Sequence, residues 1–174
     1  MTTHPSTARA DVVIRRVEAD EAPAVARLHV QTDRETYQPI FGPKFEAVDV
    51  DRSQLRWDKA LAADDVLLVV VEDGRMVGFA HATPTWMSAL YLLASHHRRG
   101  IGFRLLLALC EALRTRDVAE IGFKAVADNA NAIAFYEAVG ARIVGREMQG
   151  EGDAAWEDIL FTLATDAPAA SRRG

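Results

Sequence analysis

The chain has 174 residues, of which 49% are hydrophobic and 26% charged, so it is long enough for one globular domain with a substantial core. Its formal net charge of −5 argues against a general nucleic-acid binder, and no apolar stretch reaches the roughly 20 residues that cross a bilayer. A single cysteine, Cys110, excludes an internal disulfide and a cysteine-based metal cluster.

The two ends of the chain differ in composition from the rest. Residues 1–10 and 166–174 are small or polar and show no periodicity, so we expect flexible tails around a single domain spanning residues 11–165. The N-terminal residues lack the apolar run of a signal peptide, which predicts a cytoplasmic protein.

The first part of the domain is predicted to begin with a strand followed by helices. Residues 11–17 form a β-branched run typical of a strand, and Asp20 is a candidate N-cap for a helix over residues 21–32. Residues 33–45 are interrupted by prolines and a glycine, which favours a loop or a short helix. Another short helix is predicted over residues 51–61.

The middle of the domain carries three predicted strands and a helix. The strands cover residues 66–72, 75–84 and 87–94, and the first two are joined by Asp73-Gly74, the dipeptide favoured in a two-residue hairpin turn. The helix over residues 100–116 presents its apolar side chains at helical spacing.

The last part of the domain alternates a strand, a helix and a hairpin. A strand over residues 119–127 precedes a helix over residues 131–139 that Gly140 ends, and residues 141–148 and 156–163 form the hairpin. Because strand–helix–strand crossovers are parallel and hairpins are antiparallel, the order predicts an α/β (α+β) fold. We expect a mixed, mostly antiparallel central sheet with helices on both faces.

The turn before the long helix is cationic and contains two glycines. A helix start leaves backbone N–H groups without partners and carries partial positive charge. Gly100 and Gly102 keep side chains away from those groups, and Arg98 and Arg99 add full charges beside them. The combination predicts a site for a diphosphate-sized anion.

The glycine turn has three other interpretations. It could be only a tight strand-to-helix connection. The P-loop pattern is absent because no Lys-Ser/Thr pair follows the second glycine, and the dinucleotide pattern lacks a third glycine after Gly102. His96 and His97 are adjacent, so their side chains diverge, and no third ligand is spaced to join them; we expect no metal site.

Two blocks of the sequence resemble the GNAT N-acetyltransferase superfamily. His97-Arg98-Arg99-Gly100-Ile101-Gly102 is similar to its acetyl-coenzyme A motif R/Q-x-x-G-x-G/A, with His97 departing from the usual Arg or Gln. Further along, Asn129, Ala132, Tyr136 and Gly140 match N-x-x-A-x-x-x-Y-x-x-x-G, after which Ala141 replaces a common aromatic residue. A predicted strand separates the blocks, as in the family fold.

The resemblance implies a parallel pair of splayed strands with acetyl-CoA as cosubstrate between them. A strand amide would polarise the thioester carbonyl, helix amides would bind the pyrophosphate, and Tyr136 would protonate the departing thiolate. The residues that it assigns to the cofactor are Leu92, Leu93, Ala94, His97, Arg98, Arg99, Gly100, Ile101, Gly102, Phe103, Asn129 and Tyr136. Tyr136 could instead be a packed helix tyrosine with a purely structural role.

The acceptor implied by the resemblance is a primary amine of a small molecule or peptide, which must lose a proton before attack. The strand before the glycine turn carries Met87, Ser88 and Ala89 where the family often has an acid, so His81 and Glu35 are the candidate bases. Each has a structural alternative. His81 could be a hydrogen-bonded histidine within the sheet, and Glu35 a solvated surface charge. The segment 29–41 with Trp86 and Met87 is predicted to form the wall of the acceptor pocket.

Two alternatives to an acetyltransferase remain open from the sequence. The missing strand acid and Ala141 leave room for a non-catalytic acyl-CoA-binding or sensing domain on the same fold. The other alternative, a nucleotide-binding domain, would use the glycine turn for a nucleotide. We expect no nucleic-acid or membrane partner, and a homodimer is compatible with the closing hairpin.

Overall fold

A computed structural model describes residues 11–166. The predicted tails, residues 1–10 and 166–174, lie outside the described residues except for Asp166. The strands are β1 (Val12–Arg16), β2 (Val66–Glu72), β3 (Arg75–Ala82), β4 (Met87–Leu92), β5 (Glu120–Val126), β6 (Arg142–Gln149) and β7 (Trp156–Ala164). The α-helices are α1 (Ala22–Phe41), α2 (Val50–Ala62), α3 (Ile101–Arg114) and α4 (Ala130–Ala138). Within the described residues, no helix combines the length and apolar character of a membrane span.

The strands form two antiparallel sheets. The first has the order β1-β2-β3-β4 and the second β5-β7-β6. The predicted hairpin between β2 and β3 is confirmed, since Asp73 and Gly74 both have positive φ, as a two-residue turn with the right twist requires.

β4 and β5 are parallel and touch at one point. A parallel bridge pairs Trp86 with Gly122, and the Gly122 N–H donates to the Thr85 carbonyl at 3.2 Å. Beyond this bridge, β4 hydrogen-bonds to β3 and β5 to β7, so the facing edges of β4 and β5 separate toward their carboxyl ends. This opening, which we call the gap, confirms the predicted splayed pair.

Helices cover both faces of the sheets. Leu105, Leu109 and Leu113 of α3 are buried in one core cluster that includes the β5 side chain Phe123. The other face packs α1 and α2 on the first sheet, around the fully buried Trp57. The predicted mixed α/β architecture is confirmed.

The prediction of a loop or short helix over residues 33–45 was wrong. α1 continues to Phe41 with Pro39 inside it, and it ends where Gly42 adopts a φ of 61°. Pro39 has no N–H to donate to the Glu35 carbonyl, so it removes one helical hydrogen bond, and the helix ends two residues later at Phe41. The Phe41 ring packs 5.7 Å from the Trp156 ring of β7, a tertiary contact that favours the extra turns.

The predicted N-cap of α1 was also wrong. The cap is Glu21, whose side chain makes no capping bond. Its carboxylate instead receives two 2.7 Å hydrogen bonds from the Arg15 guanidinium, and this hydrogen bonding lowers the pKa of Glu21 to about 2. Asp20 is therefore one position too early to begin the helix.

Candidate active site

The gap has a helix start at each side. α3 follows β4, and α4 follows β5, so both helices begin at the carboxyl ends of the two parallel strands. Crevices at this end of parallel strands are where α/β proteins bind ligands. The sequence-predicted cofactor residues fall on two segments: the end of β4 with its connection to α3 and the first turn of that helix, and α4 with its N-cap.

The N-terminus of α3 offers backbone N–H groups at the mouth of the gap. Its first intrahelical bond runs from the Arg104 N–H to the Gly100 carbonyl at 3.1 Å, which leaves the amides of Ile101, Gly102 and Phe103 without intrahelical acceptors. Gly100 has a φ of 75°, and a side chain there would meet open space. Glycine is thus required by the backbone at Gly100 and leaves the amides accessible.

The cationic loop is tied to the end of β2. The Arg99 guanidinium donates two hydrogen bonds to the Glu72 carboxylate, and His96 Nε2 lies 2.9 Å from the same group. These contacts lower the pKa of Glu72. Arg98, with a φ of 57°, is exposed and has no ion-pair partner within residues 11–166. Arg98 is therefore the free cation of this loop.

The end of β4 presents its backbone to several partners. The Leu93 N–H donates to the Val77 carbonyl of β3 at 2.9 Å, while His97 Nε2 lies 3.0 Å from the Leu92 carbonyl. The Ala94 N–H donates to Glu35 Oε2 at 2.8 Å. Glu35 is thereby placed at the predicted cofactor edge.

Two predicted residues lie on α4. Asn129 is its N-cap and accepts a hydrogen bond from the Ala132 N–H at 3.2 Å, so its side-chain carbonyl is engaged and its amide NH₂ is available. Tyr136 is 8% exposed, with its ring 4.5 Å from the Phe123 ring, and burial raises the pKa of its hydroxyl.

The Tyr136 hydroxyl has no hydrogen-bond partner in the part of the chain that the structure describes. No fully buried side-chain oxygen there lacks a partner, so this hydroxyl must reach accessible space. A protonated, unpaired hydroxyl is suited to donating a proton.

His81 lies in a hydrogen-bonded network on the α2 side. Its Nδ1 is 2.6 Å from the Ser88 hydroxyl and its Nε2 is 3.0 Å from Asp65, while Arg56 also donates to Ser88. Burial is the main cause that lowers the pKa of His81. Both ring nitrogens are engaged, as the structural alternative for this residue requires.

Tyr91 and Asp158, which the sequence did not single out, also border the gap, together with Tyr37 of the predicted wall segment. Tyr91 of β4 and Tyr37 of α1 have hydroxyl oxygens 3.3 Å apart. Asp158 of β7 is 3% exposed and bonds to Lys124 at 2.7 Å and to the Trp156 indole N–H at 3.2 Å. A tyrosine in a strand and a tryptophan after a glycine-rich turn carry no local signal of a site.

The two other residues predicted for the acceptor-pocket wall, Trp86 and Met87, lie at the closed end of the gap and in the core. The Trp86 ring packs against Gly122 at the bridge between β4 and β5, and Met87 is 4% exposed in the α3-side core. Cys110 is also buried there, and burial raises the pKa of its thiol to about 11, so it is not a reactive thiolate at neutral pH.

Solved structures with this fold are acetyltransferases. The ribosomal-protein-alanine N-acetyltransferase from Brucella melitensis is 21% identical with a TM-score of 0.71, over 87% of this chain and 99% of that one. The yncA protein from Salmonella typhimurium, solved with its cofactor acetyl-CoA, is 20% identical with a TM-score of 0.71, over 94% and 99% of the chains. The paia N-acetyltransferase from Thermoplasma acidophilum, in complex with coenzyme A, is 15% identical with a TM-score of 0.70, over 88% and 99%.

These likenesses show the fold of the chain, which it shares with these acetyltransferases. The model of the acetyltransferase (GNAT) family matches residues 29–141, more than half of the chain, and the chain belongs to that family. No curated protein matches it significantly. The predicted resemblance is confirmed, and acetyl-CoA is the cosubstrate of the family.

Proposed function

We propose that the protein transfers an acetyl group from acetyl-CoA to a primary amine of a small molecule or peptide, by direct attack within a ternary complex. One observation carries this proposal: α3, with its free N-terminal amides, and α4, which carries the unpaired Tyr136 hydroxyl, both begin at the end of the sheets where β4 and β5 separate. A linear thioester fits such an arrangement, with its phosphates at the helix and its sulfur near the hydroxyl.

The proposed cofactor contacts follow the exposed backbone and charges. The amides from Arg98 to Phe103 would bind the pyrophosphate, which partial positive charge at the α3 N-terminus stabilises. The backbone from Leu92 to Ala94 would pair with the pantetheine arm, and Asn129 would donate its side-chain amide. Binding at Ala94 requires that Glu35 release its N–H.

Direct attack is favoured over an acetyl-cysteine intermediate. Cys110 is the only cysteine of the chain, and its buried thiol has a raised pKa. The tetrahedral intermediate would be stabilised by a β4 amide, and Tyr136 would give its proton to the departing sulfur.

The test combines binding with two-substrate kinetics. We expect coenzyme A to raise the melting temperature by binding the native state, and acetyl-CoA with a suitable amine to release free thiol. Initial-rate lines that intersect support a ternary complex, whereas parallel lines indicate an acetyl-enzyme. Coenzyme A binding without thiol release for any amine would favour the acyl-CoA sensor instead. Stabilisation by ATP or NAD alone would favour a nucleotide-binding domain.

A further inference from the structure

One face of α1 runs along the β4 side of the gap. The side chains at four-residue spacing on this face are His29, Asp33, Tyr37 and Phe41. The His29 ring lies 5.8 Å from the Tyr91 ring, the Tyr37 hydroxyl 3.3 Å from the Tyr91 hydroxyl, and the Phe41 ring 5.7 Å from the Trp156 ring. Asp33 is therefore held between two residues that contact Tyr91.

The carboxylates on this side of the gap differ in how many of their oxygens accept hydrogen bonds. Glu35 accepts from the Ala94 N–H and from the Gln31 side chain, one bond to each oxygen. Asp158 likewise has one oxygen on Lys124 and the other on the Trp156 indole. Only Asp33 among these three keeps an oxygen without a hydrogen-bond partner among residues 11–166.

One oxygen of the Asp33 carboxylate accepts a hydrogen bond that orients the side chain, and the other oxygen has no hydrogen-bond partner among residues 11–166. Its Oδ2 accepts a 3.1 Å hydrogen bond from the Val48 N–H, in the segment between α1 and α2. Its Oδ1 must be accessible, because no fully buried side-chain oxygen of the described residues is unpaired. A carboxylate fixed at one oxygen and free at the other can receive a cation or a proton.

The electrostatic surroundings agree with this position. Burial is the main cause that raises the pKa of Tyr37 and of Tyr91, and the charge of Asp33 adds to both shifts, as expected if it lies close to their hydroxyl pair. Burial raises the pKa of Asp33 itself, which makes its carboxylate a stronger base. The other groups that act on this pair are Asp158 from β7, Tyr136 from α4 and Arg56 from α2.

We propose that Asp33 binds the ammonium group of the acceptor and takes up its proton. This inference rests on the proposed acetyl transfer. One proton passes from the ammonium to Asp33 Oδ1 and on to water, and the freed lone pair forms the C–N bond to the acetyl carbon. The C–S bond then breaks, Tyr136 protonates the sulfur, and the second nitrogen proton restores the Tyr136 hydroxyl through solvent.

The acceptor that fits this arrangement is a cationic amine carrying an apolar or second cationic group. Tyr37 lies one helical turn beyond Asp33, and its ring begins an aromatic row that continues through Phe41 to Trp156. Aromatic faces attract organic cations. Probes of this class are 2-phenylethylamine, spermidine and a lysine-containing peptide.

The test compares the wild type with Asp33→Asn, which keeps an acceptor for the Val48 N–H and cannot take up a proton near neutral pH. The matched control is Asp51→Asn, at an exposed position in the first turn of α2. Thiol release from acetyl-CoA is followed with the best probe amine as the pH is raised from about 6.5 to the amine pKa near 10. We expect Asp33→Asn to lower kcat about 100-fold near neutral pH, with the KM for acetyl-CoA unchanged.

The pH dependence separates proton transfer from a structural role. As the amine becomes neutral by itself, the Asp33→Asn rate should approach that of the wild type, since no base is then needed. An unchanged kcat, or a deficit that is equal at every pH, overturns the inference and leaves the proposed function standing. A wild type that binds coenzyme A and acetylates none of the three probes overturns the inference and counts against amine acetylation as well.

Discussion

The hydroxyl oxygens of Tyr37 and Tyr91 lie 3.3 Å apart, and this contact links α1 to β4 beside the gap. Burial is the main cause that raises the pKa of Tyr91, and the charge of Tyr136 adds to it. Residues from α1 and β4 thus meet beside the gap.

Replacing Tyr136 by phenylalanine should impair chemistry without affecting folding. The hydroxyl has no partner among the described residues, so its removal leaves no unsatisfied group, and the free energy of unfolding should change by less than about 0.5 kcal/mol. We expect kcat to fall about 100-fold because the thiolate leaves unprotonated. Steady-state kinetics and denaturant unfolding measure the two effects. A variant with wild-type turnover would remove Tyr136 from the mechanism.

A methyl group at position 100 should weaken coenzyme A binding. Gly100→Ala adds a Cβ beside the free amides of α3, at a φ of 75° that L residues rarely adopt. The matched control is Gly74→Ala, which has a φ of 76° and equally open surroundings in the β2–β3 turn. Both should lose about 1 kcal/mol of stability, whereas only Gly100→Ala should raise the Kd for coenzyme A, by about tenfold. Equal Kd values by calorimetry would place the phosphates elsewhere.

The two arginines of the loop should contribute unequally to cofactor affinity. Arg98→Ala removes a cation with no ion-pair partner within residues 11–166, while Arg99 is held by Glu72. We expect Arg98→Ala to raise the Kd for coenzyme A about tenfold and Arg99→Ala to raise it less. The Arg98 contribution should shrink as salt is added. A larger loss for Arg99→Ala would mean that Arg99 leaves Glu72 to bind phosphate.

His29 should make stability depend on pH. Burial lowers the pKa of His29 from 6.5 to about 4, and its Nδ1 lies 2.7 Å from the Ser53 hydroxyl. Between these values the unfolded chain binds a proton that the folded chain does not, so stability falls as the pH drops from about 6.5 to 4. The loss from this group is at most about 3 kcal/mol. Urea unfolding should show a smaller drop over this range for His29→Gln; an equal drop would assign it to other groups.

The sequence predicted elements whose signals are local. The β2–β3 hairpin depends on Asp73-Gly74, and the α4 boundary on Asn129 as a cap, so both could be located from neighbouring residues. The end of α1 could not, because the contact between Phe41 and Trp156 joins segments far apart in sequence. The same holds for the pairing of Tyr37 with Tyr91.

The candidate site divides in the same way. Its cofactor half follows a motif on one connection, including Gly100, and could be read directly from the sequence. Its acceptor half is assembled from α1, β4 and β7, and each residue is inconspicuous by itself. The sequence predicted a loop or a short helix for the segment that contains Asp33. The residues one helical turn away could therefore not be identified as its neighbours.

We expect the bridge between Trp86 and Gly122 to limit the length of the acyl chain that the gap can hold. A Cβ at Gly122 would lie 3.0 Å from the indole ring, so the closed end of the gap is tightly packed. Each residue pair by which the bridge moved would change the depth of the gap by about 3.3 Å, or between two and three methylene groups. The position at which β4 and β5 separate would thus decide between acetyl and longer acyl donors.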